Sequence, residues 1–294
     1  MLPYLTRRRA FTLVELTVVV GAGCTVLALA AVMMPMRGCR CGSRQIMDSS
    51  QIRGVVQAMT IWANNNKDSY PLPSAIDIAG DTVADAGRAK DTTANILSLL
   101  IWNGSVPTDI LVSPAEANKN VQRYANYEFN SPKTAVRPDK AMWDPAFNAD
   151  ITGPKPGGVS YAHLVPSDER LGRWSSTFSA TEPILGNRGP EIASVTKQKA
   201  PSVVAKVKSP DSYTFLIHGG RTTWEGNIGF NDAHVDFSTT YHDGAFGTYR
   251  GSDGATWNDV IFYDEPDDPS KSNAYLGIFT TAGSSAPEFR AIWD

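Results

Sequence analysis

The predicted fold is determined by the segment Arg7-Arg8-Arg9-Ala10-Phe11-Thr12-Leu13-Val14-Glu15-Leu16 and by the apolar run that follows it to Met36. Three arginines precede one small residue, and Glu15 is the only charged side chain between Arg9 and Arg37. A helix of about 20 apolar residues is long enough to cross a bilayer core of about 30 Å. An ionised carboxylate in such a helix costs about 2.5–3.5 kcal/mol, so we expect Glu15 to have a partner.

This order of residues, a basic leader and a small residue before Phe-Thr-Leu-Val-Glu-Leu, resembles the processing site of type IV prepilins and of the pseudopilins of type II secretion. The resemblance implies that a prepilin peptidase cuts between Ala10 and Phe11 and methylates the new amine. The family normally has Gly at the position of Ala10. Glu15 would be the fifth residue of the processed chain, where it can neutralise the Phe11 ammonium of a neighbouring subunit.

The resemblance also implies a location and a set of partners. The chain is expected to be a single-pass protein of the bacterial inner membrane, with a cytoplasmic N-terminus and a periplasmic globular domain, or a component of a filament. Its expected partners are prepilin peptidase, like or related pilin subunits that contact its N-terminal helix, and the inner membrane. The arginines do not set this orientation, because three precede the span and Arg37, Arg40 and Arg44 follow it.

Three other interpretations of the N-terminal segment stay open. Arg8-Arg9-Ala10-Phe11 also fits a twin-arginine export signal, although the apolar region is longer than the 7–15 residues typical of signal peptides. Gly21-Ala22-Gly23-Cys24 has some likeness to a lipoprotein site, but cleavage there would leave an apolar stretch at the new terminus. A plain membrane anchor is the third interpretation, and it gives Glu15 no role.

Length and composition fit one anchor and one sizeable globular domain. The chain has 294 residues, of which 42% are hydrophobic and 19% are charged. A net charge of −3 and the lack of a basic stripe beyond the leader argue against nucleic-acid binding. We predict a leader over residues 1–10, an assembly helix over 11–36, a junction and stem helix over 37–66, and a globular domain over 67–294.

The three cysteines give little support for a metal site or a disulfide framework. Cys24 lies in the apolar run and is expected to be a small packing residue. Cys39 and Cys41 flank Arg40, and no second pair completes a four-ligand zinc site. A short-range or intermolecular disulfide stays open for these two residues in an oxidising compartment.

Periodicity predicts the elements of the remaining chain. From Ser43, apolar residues recur at steps of three and four and predict an amphipathic helix that ends near Asn64–Asp68, with the apolar side Ile46, Ile52, Val55, Val56, Met59, Trp62 and Ala63. A second helix is expected to be capped by Thr92 or Thr93 and to end before Gly104. Residues 105–158 are expected to be largely irregular, with Trp143 and Phe147 packed on the core. Strands are predicted over Val159–Val165, Tyr213–His218, Gly226–Phe230, Ala233–Ser238, Val260–Tyr263, Tyr275–Thr280 and Phe289–Trp293.

These elements predict an α+β fold of pilin-like type. A long N-terminal helix, with a membrane-spanning half and an amphipathic half, would pack on an antiparallel β-sheet and carry a large loop-rich insertion. Asn231-Asp232 is a candidate two-residue hairpin turn within that sheet.

The residues richest in chemical groups are His218-Gly219-Gly220 and the segment Asn231–Phe237. His218, Asp232, His234 and Asp236 are candidate ligands for a transition metal or members of an acid–base site. Ordinary strand alternation also explains the pattern, because His234 and Asp236 would share the face opposite Val235 and Phe237. The segment also resembles the end of many bacterial prepilin-like proteins, with Ala233 where those proteins have Gly.

Acidic residues near the end of the chain form a second candidate site. Asp253, Asp259, Asp264 and Asp267 could offer the oxygen ligands that Ca²⁺ prefers. Major pseudopilins bind calcium in a C-terminal loop of similar composition, but no spacing here matches a defined calcium loop. Solvated surface acids are therefore the favoured interpretation.

The sequence predicts a structural role, with no enzymatic activity and no required cofactor. The chain would be a prepilin-like subunit that is cut by prepilin peptidase and assembles into a type IV pilus or a type II secretion pseudopilus-like filament. The alternative is a membrane-tethered periplasmic enzyme or binding protein that depends on a metal held by His218, Asp232, His234 and Asp236.

Overall fold

The computed structural model describes residues 12–14, 17–20, 22 and 39–294. The chain divides into two compact units, residues 1–42 and residues 43–294. In the first unit, residues 13–14, 17–20 and 22 are helical. Within the described ranges, no helix combines the length and the apolar character that a membrane crossing requires.

This finding corrects three predictions made from the sequence. A helix with a membrane-spanning half, a transmembrane character and a single-pass inner-membrane location were all predicted, and each is contradicted by the helices that the structure describes. Most of the predicted span over 11–36 lies outside the described residues. The predicted fold class is therefore wrong as a whole, and the domain is a mixed α/β structure with a six-stranded antiparallel sheet.

Four α-helices occur within residues 39–294: α1 (Cys39–Asn64), α2 (Pro73–Ile76), α3 (Thr93–Trp102) and α4 (Arg170–Arg173). Helix α1 begins four residues before the predicted Ser43. Its residues Ile52, Val55, Val56 and Met59 are almost fully buried, as the apolar stripe predicts, whereas Ile46 is 70% exposed and does not belong to the buried side.

The main sheet has the strand order β10-β9-β1-β2-β5-β6, and every neighbouring pair is antiparallel. Two separate hairpins pair β3 with β4 and β7 with β8. The strands are β1 (Tyr161–Leu164), β2 (Pro183–Asn187), β3 (Ile192–Lys197), β4 (Val203–Val207), β5 (Gly226–Phe230), β6 (Val235–Ser238), β7 (Thr248–Arg250), β8 (Thr256–Asn258), β9 (Leu276–Thr281) and β10 (Arg290–Ile292).

Helix α1 packs closely on the sheet because strand β5 has no side chain at one contact point. A Cβ atom added to Gly229 would lie 2.7 Å from Ile52 Cγ2 and 3.2 Å from Val56 Cγ2. Such distances are shorter than ordinary carbon contacts of about 3.5–4.0 Å, so a glycine is required for this approach. The β5 strand and α1 thus share one core, which also includes Ile228 and Phe230.

Helix α3 covers another part of this core and agrees with its prediction. Thr92 is the N-cap, and its hydroxyl oxygen accepts a hydrogen bond from the Asn95 backbone N–H at 3.4 Å. Gly104 follows the helix with φ +72°, the left-handed conformation that favours glycine after a helix. Trp143 is fully buried and donates from Nε1 to Asn95 Oδ1 at 3.0 Å, so the irregular segment 105–158 is held on the core as expected.

Two predicted strands are wrong. Tyr213–Leu216 is a 3₁₀ helix, because Ser212 caps it and accepts from the Thr214 N–H at 3.3 Å. The apolar residues Val260–Tyr263 form a buried turn, in which the Tyr263 N–H donates to the Val260 carbonyl at 2.9 Å. Val260, Ile261 and Phe262 are buried without strand pairing, and periodicity cannot distinguish such a run from a core strand. In the 3₁₀ helix, Tyr213 and Leu216 are 45% and 47% exposed.

Candidate functional site

The residues predicted to govern processing and assembly cannot be placed. Ala10, Phe11 and Glu15 lie outside the described residues, and so does Cys24. The predictions for these residues remain untested predictions. Cys39 and Cys41 belong to the first turn of α1.

A buried polar cluster joins helix α1 to the sheet, and we call it the Asp48 cluster. Asp48 is fully buried and accepts hydrogen bonds from Tyr161 Oη at 2.9 Å, from His218 Nε2 at 2.9 Å and from Asn227 Nδ2 at 2.8 Å. Tyr161 lies on β1 and Asn227 on β5. Tyr161 Oη also lies 2.9 Å from Gln51 Oε1, which is one helical turn from Asp48. One carboxylate therefore connects α1 to two strands and to the segment that precedes β5.

The hydrogen bonds decide the charge of the Asp48 cluster. Burial alone would raise the pKa of Asp48, but hydrogen bonds with His218, Ser113 and Asn227 outweigh burial and lower it. Burial and the adjacent Asp48 carboxylate raise the pKa of Tyr161 well above its ordinary value. At neutral pH, Asp48 is thus an anion that receives three donors, and Tyr161 is a neutral donor.

The four candidate transition-metal ligands do not form one site. His218 is bound to Asp48 and packs edge-to-face against Phe237, with ring centroids 5.9 Å apart. Asp232, His234 and Asp236 lie together at the β5–β6 hairpin, where His234 Nδ1 contacts Asp232 and His234 Nε2 lies 3.7 Å from Asp236 Oδ2. Across residues 12–14, 17–20, 22 and 39–294, no three His, Cys, Asp or Glu side chains are arranged to hold a metal ion.

The β5–β6 hairpin has a longer loop than the predicted two-residue turn. The Phe230 N–H donates to the His234 carbonyl at 3.0 Å, and the Ala233 N–H donates to the Phe230 carbonyl at 2.8 Å. Ala233 has φ +66°, so a three-residue loop ends in the left-handed conformation typical of such hairpins. The His234 ring stacks on Phe230 with centroids 4.3 Å apart, which gives His234 a packing role.

The four candidate calcium ligands are separated into three environments. Asp253 and Asp267 both contact Lys197 Nζ. Asp264 Oδ1 lies 2.6 Å from Nη2 of Arg170, a residue that is fully buried. Asp259 is itself buried, and burial together with nearby Glu182 raises its pKa to about 8.

Sequence reasoning missed Asp48, although a signal for it was present. Asp48, Ile52, Val55 and Met59 follow one another at steps of four, three and four, so they share one face of α1. A carboxylate on the apolar face of a helix is buried when the face is covered, and it then needs donors. The identity of those donors could not be read from the sequence, because Tyr161, His218 and Asn227 are more than 100 residues away.

Comparisons with known proteins add no relative to this description. No family model, no curated protein and no solved structure matches the chain. The pseudopilin and secretion assignments therefore have no support from a related protein, and the functional proposal below depends on the residues of this chain.

Proposed function

We propose that the protein is a prepilin-like structural subunit, which is cut between Ala10 and Phe11 and assembles into a filament of the pilus or pseudopilus type. The observation that carries the proposal is the order of residues 7–16, in which three arginines and a small residue precede Phe11 and a single acid follows at Glu15. This arrangement gives the one charged side chain of a long apolar run a defined partner.

The proposed assembly contact is an ion pair between subunits. Cleavage creates an ammonium group at Phe11, and Glu15 of an adjacent copy supplies the opposite charge. Either group alone would be costly to bury among apolar side chains, and removing one partner of a buried pair typically costs about 3–5 kcal/mol. The pair would therefore set the axial position of each subunit relative to its neighbour.

Exposed apolar residues on helix α1 give the proposal further support. Ile46, Met47 and Ile61 are 70%, 55% and 59% exposed, respectively. At 100° per residue, all three positions fall within about a 100° sector of the helix. Residues of this kind, placed opposite the buried stripe, are suited to contacts between neighbouring helices in a filament.

The test compares Glu15→Gln and Glu15→Ala with the unchanged chain in the cells that make the protein. We expect normal amounts of protein and normal cleavage, but a loss of the protein from the sheared filament fraction, because the amine then lacks its partner. Glu169→Gln is a matched control that removes an exposed carboxylate of the folded domain. His234→Ala serves as a second control and should leave assembly unchanged. Normal assembly of both Glu15 variants would contradict the proposal.

A further inference from the structure

A cavity of about 450 Å³ lies beside the β3–β4 and β7–β8 hairpins. Its walls include Lys197 from β3, Tyr249 from β7, and Tyr263, Glu265 and Asp267 from the segment after β8. The cavity is large enough for a small organic molecule. It is separate from the Asp48 cluster and has no role in the proposed assembly contact.

The ammonium group of Lys197 lies at the edge of this cavity. Lys197 Nζ lies 4.6 Å from the centroid of the Trp257 ring and 5.7 Å from that of Tyr249. The same atom contacts Asp267 and lies 3.4 Å from Asp253 Oδ2. Aromatic faces and carboxylates together form the environment that proteins use to hold organic ammonium ions.

A buried carboxyl group in the cavity wall has an unused oxygen. Glu265 is only 1% exposed, and its Oε2 accepts from Asn273 Nδ2 at 3.2 Å. Its Oε1 has no hydrogen-bond partner among the residues that the structure describes, and the same is true of Oδ1 of the buried Asp259. An unpartnered buried oxygen is costly, so a group that supplied a donor there would be favoured.

Burial raises the proton affinity of both acids. Burial and the neighbouring Asp259 raise the pKa of Glu265 well above its ordinary value, and the pKa of Asp259 is raised to about 8. At neutral pH the pair therefore retains at least one proton. The charged and titratable groups around the pair are Arg170, Arg173, Glu182, Tyr249, Tyr263, Asp264, Asp267 and Lys271.

We propose that this cavity is a binding site for a small organic ammonium ion, whose positive charge faces Glu265 and Asp267, and that binding releases the proton held by Glu265 and Asp259. The bound cation lowers the free-energy cost of ionising the second carboxyl group of the pair. The O–H bond of one carboxyl group breaks, the electron pair stays on its oxygen, and the proton passes to water or buffer. The proposal does not rest on the filament function.

The test titrates the full chain with n-butylammonium chloride at pH 7 by calorimetry in two buffers of different ionisation enthalpy. We expect one bound ammonium ion per chain and a release of up to about one proton, seen as a buffer-dependent enthalpy. Glu265→Gln keeps the shape and the amide contact with Asn273 but cannot ionise. We expect it to weaken binding at least about tenfold and to abolish proton release. Glu191→Gln is the matched control, because Glu191 directly precedes β3 and pairs with Lys208 instead.

Two further measurements keep the proposal open to refutation if Glu265→Gln fails to fold. Lys197→Met removes the chain's own ammonium ion from Trp257 and Asp267, and we expect it to tighten n-butylammonium binding several-fold at low salt. n-Butanol, which has the same alkyl chain without the charge, should not bind. The proposal is overturned if n-butanol binds equally well, if calcium chloride binds while n-butylammonium does not, or if binding releases no proton.

Discussion

Replacement of Asp48 by alanine should destabilise the folded domain by removing the acceptor that joins helix α1 to the sheet. The side chain is fully buried and receives hydrogen bonds from Tyr161, His218 and Asn227. The substitution leaves all three donors in place without their carboxylate. A buried donor without a partner costs about 1–3 kcal/mol.

Two of the donors have a second acceptor nearby, which limits the expected loss. Tyr161 Oη lies 2.9 Å from Gln51 Oε1, and Asn227 Nδ2 lies 3.3 Å from the Gln45 carbonyl oxygen. Only His218 Nε2 loses its one described partner. We therefore expect Asp48→Ala to lower the free energy of unfolding by about 3 kcal/mol rather than by the larger sum of three orphaned donors. Asp48→Asn keeps one acceptor oxygen and should cost about 1–2 kcal/mol.

The pH dependence provides an independent measure of the same carboxylate. The pKa of Asp48 is lower in the folded domain than in the unfolded chain, so its contribution to stability is present above about pH 3.9. That contribution is lost as the pH falls through the folded-state value, where both states become protonated. Asp48→Asn should therefore reduce the slope of the free energy of unfolding below about pH 4.

Urea unfolding of the full chain, followed by tryptophan fluorescence, measures both quantities. Gln57→Ala is the control, because Gln57 is exposed on the same helix and should change the free energy of unfolding by less than about 0.5 kcal/mol. A cost below about 1 kcal/mol for Asp48→Ala would refute the role of Asp48 as the connection between α1 and the sheet.

Three further substitutions test other parts of the fold by urea unfolding. Ala233→Gly should stabilise the domain by about 0.5–1 kcal/mol, because φ +66° favours glycine; a loss of stability would contradict the described loop. Gly229→Ala should destabilise it by about 1–3 kcal/mol, because the added methyl group would meet Ile52 Cγ2 at 2.7 Å; unchanged stability would contradict this close packing. Burial lowers the pKa of His163 to about 4, so the unfolded chain takes up this proton first and stability falls by about 3 kcal/mol between pH 6.5 and pH 4. His163→Gln should remove that part of the slope, and an unchanged slope would show that His163 is not the group responsible.

Local signals in the sequence predicted the elements whose boundaries depend on nearby residues. The cap at Thr92, the buried stripe of α1 and strand β5 are set by spacing within a few residues, and the structure agrees with each. The position of the hairpin after β5 was predicted correctly. Its loop has three residues rather than the predicted two, because Ala233 adopts a left-handed conformation that is uncommon for alanine.

Contacts between distant residues could not be predicted in the same way. Lys197 contacts Asp253 and Asp267 across 56 and 70 residues, so two of the four candidate calcium ligands are partly neutralised by a lysine. His218 and His234 are predicted ligands of one metal site, yet the partner of His218 is Asp48, 170 residues earlier. The sequence gives the residue types at a site, but the order of the sheet decides which of them meet.

The intact mass and the N-terminal sequence of the protein from the cells that make it test the proposed processing most directly. We expect a chain that begins at Phe11 and carries one methyl group on its terminal amine. A chain that retains Met1, or that begins at any other residue, would contradict the proposal that this protein is a prepilin-like subunit.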